Sequence, residues 1–112
     1  MSGDDYSKLI RLSEVLDKAV RYLVGEGPLK ERLENAYFYE LRLIHAEPAT
    51  VLPNETGAKL RALLENLKER LGGGGYLPSD TLDPIASEIV SVFARVQEQI
   101  GRFAADQDAG RQ

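Results

Sequence analysis

The sequence predicts an all-α protein, an antiparallel up-down bundle of four helices, and three observations predict it. Apolar residues recur at spacings of three and four through four separate stretches. Clusters of glycine and proline punctuate the chain between those stretches. The valines and isoleucines follow helical spacing, and no segment alternates apolar with polar as a half-buried strand would. A chain of 112 residues fits one domain and can bury a core without covalent staples. The expected helices cover residues 6–24, 28–46, 55–71 and 82–104. Residues 105–112 are polar and aperiodic, and a disordered tail is expected there.

In the first stretch, Leu9, Leu12, Leu16, Ala19 and Leu23 form one helical stripe, which Val15 and Tyr22 widen. Glu14 and Lys18, then Asp17 and Arg21, stand four apart in the favourable acid-first order. Gly25 follows the last periodic residue, where a left-handed helix end favours glycine. Pro28 suits the first turn of the next helix, because the amide it lacks would be unpaired there. So short a link favours an antiparallel hairpin.

The second stretch is apolar on more than one side. Leu29, Leu33, Ala36, Tyr37 and Ile44 share one stripe, while Phe38 and Leu41, and Tyr39 and Leu43, fall on two others. The consecutive aromatics Tyr37, Phe38 and Tyr39 point about 100° apart on a helix. A helix apolar all round is either central in a bundle or touched by a partner. The connection 47–53 holds Pro48 and Pro53, which resist helix, and Val51 and Leu52 are expected to plug the bundle end.

Asn54 is a plausible N-cap for the third stretch, whose stripe is Leu60, Leu63, Leu64, Leu67 and Leu71. Residues 72–75 are four glycines, expected to give a flexible link, with Tyr76 and Leu77 anchoring it. Ser79, Asp80, Thr81 and Asp83 offer caps for the fourth stretch, with Pro84 early in it. There Leu82, Ile85, Ile89, Val92, Phe93, Val96, Ile100 and Phe103 form a long stripe.

The residue inventory speaks against most chemistry. There are no cysteines, so disulfides, thiolate ligands and thiol nucleophiles are absent. The single histidine, His45, rules out a zinc site of histidine and cysteine within one chain and a di-iron bundle with paired Glu-x-x-His units. No metal and no cofactor is expected. No Gly-x-Ser-x-Gly elbow is present, and the four glycines lack the Lys-Ser/Thr of a phosphate-binding loop. Ser87 and Ser91 flank the fourth stripe, where small hydroxyl residues ease packing. The 18 carboxylates fall mainly on polar faces, whereas acid–base catalysis needs two in a shared dry site.

One polar cluster merits a test: Glu40, Arg42 and His45. Arg42 and His45 resemble in residue type the Arg-x(4–6)-His motif of HEPN-type RNases, but they stand three apart and the spacing departs from it. A histidine near a helix C-terminus, interacting with the dipole, is the ordinary reading. A net charge of -4 disfavours bulk nucleic-acid binding, and the cations of the third stretch (Lys59, Arg61, Lys68 and Arg70) are offset by Glu55, Glu65 and Glu69. The opening residues, Met1-Ser2-Gly3-Asp4-Asp5, are acidic where a secretory signal is basic and then apolar. No apolar run approaches the ~20 residues of a membrane span. A cytoplasmic location with no membrane partner is expected.

Residues 22–33 (Tyr-Leu-Val-Gly-Glu-Gly-Pro-Leu-Lys-Glu-Arg-Leu) resemble a pattern in small uncharacterised bacterial helical proteins, where it also joins the first two helices. The resemblance extends to Leu71 and implies a helical bundle; it carries no activity. The expected function is therefore a non-catalytic module that contacts another protein or itself, as a homodimer. The candidate surface is Val20, Val24, Phe38, Tyr39 and Leu43. The alternatives are a nucleic-acid-associated regulator and an enzyme with its site near Glu40, Arg42 and His45.

Overall fold

The computed structural model describes residues 3–44, 52, 54–72, 75 and 77–110. Four α-helices are present among them: α1 (Gly3–Leu23), α2 (Leu29–Tyr39), α3 (Asn54–Leu71) and α4 (Leu82–Gly110). Single 3-10 turns at Leu41–Leu43 and Ser79–Thr81 follow α2 and precede α4. No strand occurs among the described residues. The molecule is elongated, with extents of 52 × 25 × 20 Å. The 29 residues of α4 set that long axis, since at ~1.5 Å per residue they span about 44 Å.

The expected stripes make the core. Leu9, Leu12, Leu16, Ala19 and Leu23 of α1 are all buried, as are Leu60, Leu63, Leu67 and Leu71 of α3. Ile85, Ile89, Val92 and Val96 of α4 join them, with Leu33, Ala36 and Tyr37 of α2. Each fully buried aliphatic chain contributes about 1.5–3 kcal/mol by leaving water. α4 is the hub: it packs along α1, carries α3, and also touches α2. The far end of the α1–α4 seam is closed by Tyr6 stacked on Phe103, centroids 4.6 Å apart, and by Gln97 Nε2 donating to Ser13 Oγ. Leu52 and Leu77 are buried and plug the connections as expected; their neighbours Val51 and Tyr76 lie outside the described residues.

The first connection departs from expectation. Gly25 does not adopt the left-handed conformation; Gly27 does, with φ 103°. The reason is the way α1 ends. Arg32, one turn into α2, donates from Nε to the Gly27 carbonyl at 2.9 Å and from its terminal nitrogen to the Leu23 carbonyl. A guanidinium thus satisfies the last carbonyl of α1 and a carbonyl of the link, and it opposes the negative end of the α1 dipole. Pro28 is extended (φ -62°, ψ 144°) and stands just before α2, not inside it. Of the two expected ion pairs in α1, Asp17–Arg21 closes at 3.1 Å, with both side chains exposed.

The second helix is shorter than its sequence suggests. It was expected to run to residue 46, but α2 ends at Tyr39 and Glu40 breaks it with φ -128° and ψ -63°. No glycine or proline causes this. The break turns fully buried Leu41 inward, and its 3-10 turn packs on both α1 and α3. Arg42 Nε donates to the Phe38 carbonyl, the acceptor a continued helix would pair with the Arg42 amide. Tertiary packing of one leucine therefore outweighs helix propensity, aided by an arginine that caps its own helix.

At the other end of the chain α4 runs to Gly110, beyond the expected stop at residue 104 and into the segment expected to be disordered. Residues 111–112 lie outside the described residues. The expected cap Thr81 turns backward: its hydroxyl donates to the Pro78 carbonyl at 2.7 Å, closing the turn that leads into α4. Of the four glycines, the two that are described, Gly72 and Gly75, both have a steric task, a Cβ at Gly75 lying 2.4 Å from the Arg70 carbonyl oxygen. A Cβ at Gly72 would lie 2.5 Å from the Lys68 carbonyl oxygen, which accepts the Gly72 amide and ends α3.

Candidate interaction surface

Among the described residues, the large apolar side chains left exposed are Tyr22, Val24, Phe38, Tyr39, Leu43 and Val90. They come from the last turn of α1, the end of α2 with its following turn, and one position of α4. α3 contributes none among the described residues, and neither does the length of α1 before Tyr22. Scattered single apolar residues are ordinary on a protein surface; ones in contact with each other are less so.

Two of them touch. Tyr22 and Tyr39 stack with centroids 5.9 Å apart and planes 18° from parallel. Tyr39 remains 62% exposed despite that contact. The three consecutive aromatics divide as helical geometry requires: Tyr37 is buried, Phe38 meets it edge-on at 5.2 Å, and Tyr39 faces α1. Val24 is 76% exposed, just past the last residue of α1. Leu43 is 54% exposed, on the far side of the helix break.

Beside the tyrosine stack lies an open polar concavity of about 420 Å³, lined by Lys18, Arg21, Tyr22, Gly25, Glu26, Arg32, Asn35 and Glu40. It carries both signs of charge. Arg32 is committed there to the Leu23 and Gly27 carbonyls, and Arg21 to Asp17. A second recess, of about 460 Å³, opens where α1 and α2 meet α4. Its lining is Leu23, Val24, Leu29, Ala86, Ser87, Val90 and Ser91, which is mostly apolar.

Of the residues singled out in sequence, Val24, Phe38, Tyr39 and Leu43 are exposed. Val20 is not: it is half-buried against the core, because it lies beside the Leu16–Ala19–Leu23 stripe. Tyr22 was expected to widen that stripe and instead faces outward, far enough round α1 to reach Tyr39. Val90 was not singled out. The signal for it was available, since Val90 is apolar yet falls between the stripe positions Ile89 and Val92. Ser87 and Ser91 are exposed and line the apolar recess, where their small size leaves room.

Two of the three polar-cluster residues lie among the described residues. Glu40 points to the concavity with Lys18 and Arg21, while Arg42 is exposed and folded back on Phe38. His45 lies outside the described residues. Among the described residues no group of three or more histidines or carboxylates gathers closely enough to hold a metal ion. No described helix is long and apolar enough to cross a membrane. No protein family matches this chain, and no characterised protein or solved structure matches it.

Proposed function

We propose that this protein is a non-catalytic helical module that works by contacting protein through the face where the end of α1 meets α2. The carrying observation is that two aromatic rings from different helices, Tyr22 of α1 and Tyr39 of α2, stack on each other at the surface and leave Tyr39 mostly exposed. Tyrosine, phenylalanine and arginine are the residues that interfaces favour, and Tyr22, Tyr39, Phe38, Arg21 and Arg42 all stand here.

We also read the helices as an antiparallel up-down arrangement. In support, Tyr6 pairs with Phe103 and Ser13 with Gln97, so positions rise along α1 as they fall along α4. The contact of α4 with all three other helices makes it more central than in a square ring of four. The lack of cysteine fits a reducing, cytoplasmic setting.

The test compares wild-type protein with Tyr39→Glu plus Leu43→Glu. Assemblies are recovered from the native host by affinity purification, and the solution mass of the pure protein is measured. Loss in the variant of an assembly that wild type forms supports the reading. Assemblies identical in wild type and variant would refute it.

A further inference from the structure

We propose that the break after α2 is conditional: Leu41 holds it, and when Leu41 leaves its place on α1 and α3, α2 continues as helix through Ile44. The turn Leu41–Leu43 then links the packing of α3 to the exposed face at the end of α2.

Residues 40–44 contain neither glycine nor proline, and glutamate, leucine and arginine are good helix formers. The Glu40 amide still bonds the Ala36 carbonyl, as a helix would have it. The bonds that follow reach one residue less, from the Leu43 amide to the Glu40 carbonyl and from the Ile44 amide to the Leu41 carbonyl. The Phe38 carbonyl takes the Arg42 side chain in place of the Arg42 amide. Local sequence thus favours helix, and the fold sets it aside. Of residues 38–44 only Leu41 is buried, with no solvent exposure, on a turn that packs against both α1 and α3. Burying one leucine and making the few main-chain bonds of one helical turn are of the same order, so this single contact decides the balance. A short 3-10 stretch that interrupts a helical sequence is a common hinge.

The consequence falls on Tyr39 and Leu43, and this part rests on the protein-contact reading above. In a continued helix they stand four residues apart on one side. In the present fold the break at Glu40 lies between them. Release of Leu41 therefore joins an aromatic and an aliphatic side chain into one face. An event that takes α3 away from the turn reshapes that face in the same way, because the turn has two discrete arrangements and α3 favours one of them.

The experiment compares the full chain as wild type, Leu41→Ala and Arg42→Ala by NMR, reading Cα chemical shifts and amide exchange over residues 40–44. Leu41→Ala removes the buried side chain and leaves the best helix former in its place. Helical shifts at 40–44 are expected, with the Arg42 and Leu43 amides exchanging about tenfold more slowly than in wild type, as retained backbone bonds do. Arg42→Ala changes an exposed residue and frees the Phe38 carbonyl, so the core is kept and a smaller shift in the same direction is expected. Non-helical shifts at 40–44 in Leu41→Ala, beside helical shifts at 29–39, overturn the proposal. If Leu41→Ala does not fold, Arg42→Ala decides, and shifts at 40–44 equal to wild type overturn it. Assemblies identical in wild type and in Tyr39→Glu plus Leu43→Glu overturn the consequence for protein contact and leave the helix result standing.

Discussion

α4 and α2 are comparably rich in apolar residues, yet the fold treats them differently. α4 keeps its large apolar residues on one stripe apart from exposed Val90, buries Ile85, Ile89, Val92 and Val96, and runs unbroken for 29 residues. α2 spreads its apolar residues around the helix, is only 11 residues long, and leaves Phe38 and Tyr39 exposed. The lesson is that arrangement decides more than content. A bundle covers one side of a helix. What lies on the other sides either meets water or waits for another surface.

Core truncation should separate the two helices most sharply. Ile89→Ala, at a position with no solvent exposure, should cost about 2–5 kcal/mol in urea unfolding, by lost burial and the cavity left behind. Tyr39→Ala should cost less than about 1 kcal/mol when measured at low protein concentration, since it loses only an exposed ring stack. Equal losses would mean that the end of α2 is core in solution, and the contrast would disappear.

The next effect belongs to Arg32, which ties the two sides of the hairpin together. Arg32→Met keeps the aliphatic stem and removes the donors to the Leu23 and Gly27 carbonyls. A loss of about 1.5–3 kcal/mol is expected, carried by the part-buried bond from a charged donor to the Leu23 carbonyl, with little from the exposed bond to Gly27. Amide hydrogen exchange should show the loosening at the end of α1 first. A loss confined to α4 would show that the hairpin does not depend on this cap.

The smallest effect runs the other way. Gly101 sits inside α4 with open space where a Cβ would stand. Gly101→Ala should raise stability by about 0.5–1 kcal/mol, seen as a higher Tm, because glycine in a helix interior costs that much in chain entropy. Stability unchanged or lowered there would mean that α4 frays beyond its last buried residue, Phe103, and that its continuation to Gly110 adds little.

Much of the fold could be read from the residues. The stripes of α1, α3 and α4 were legible because regular spacing on a single face maps directly onto burial, and Leu9 through Leu23 are buried as that spacing requires. Two boundaries were not legible. Gly25 looks like a left-handed helix-ending glycine, but α1 ends with the Gly25 amide on the Tyr22 carbonyl and with Arg32 from the next helix on the Leu23 carbonyl. Glu40 looks helical, and no local signal marks the break; it follows from Leu41 reaching a core that α1 and α3 have built. The exposed surface was partly legible: Tyr39 and Leu43 stood off the main stripe, whereas Tyr22 looked like core.

Composition and periodicity alone determined that this protein is all-α, with no thiol chemistry, one histidine, and most of its core positions. Those properties depend on residue type and on neighbours within a few positions, which a helix brings together by its own geometry. Only the tertiary structure decided where α2 stops, which cation caps α1, and that Tyr22 and Tyr39 share one exposed seam. Each of those depends on groups from different helices meeting in space, and one helix's spacing does not specify its angle to the next.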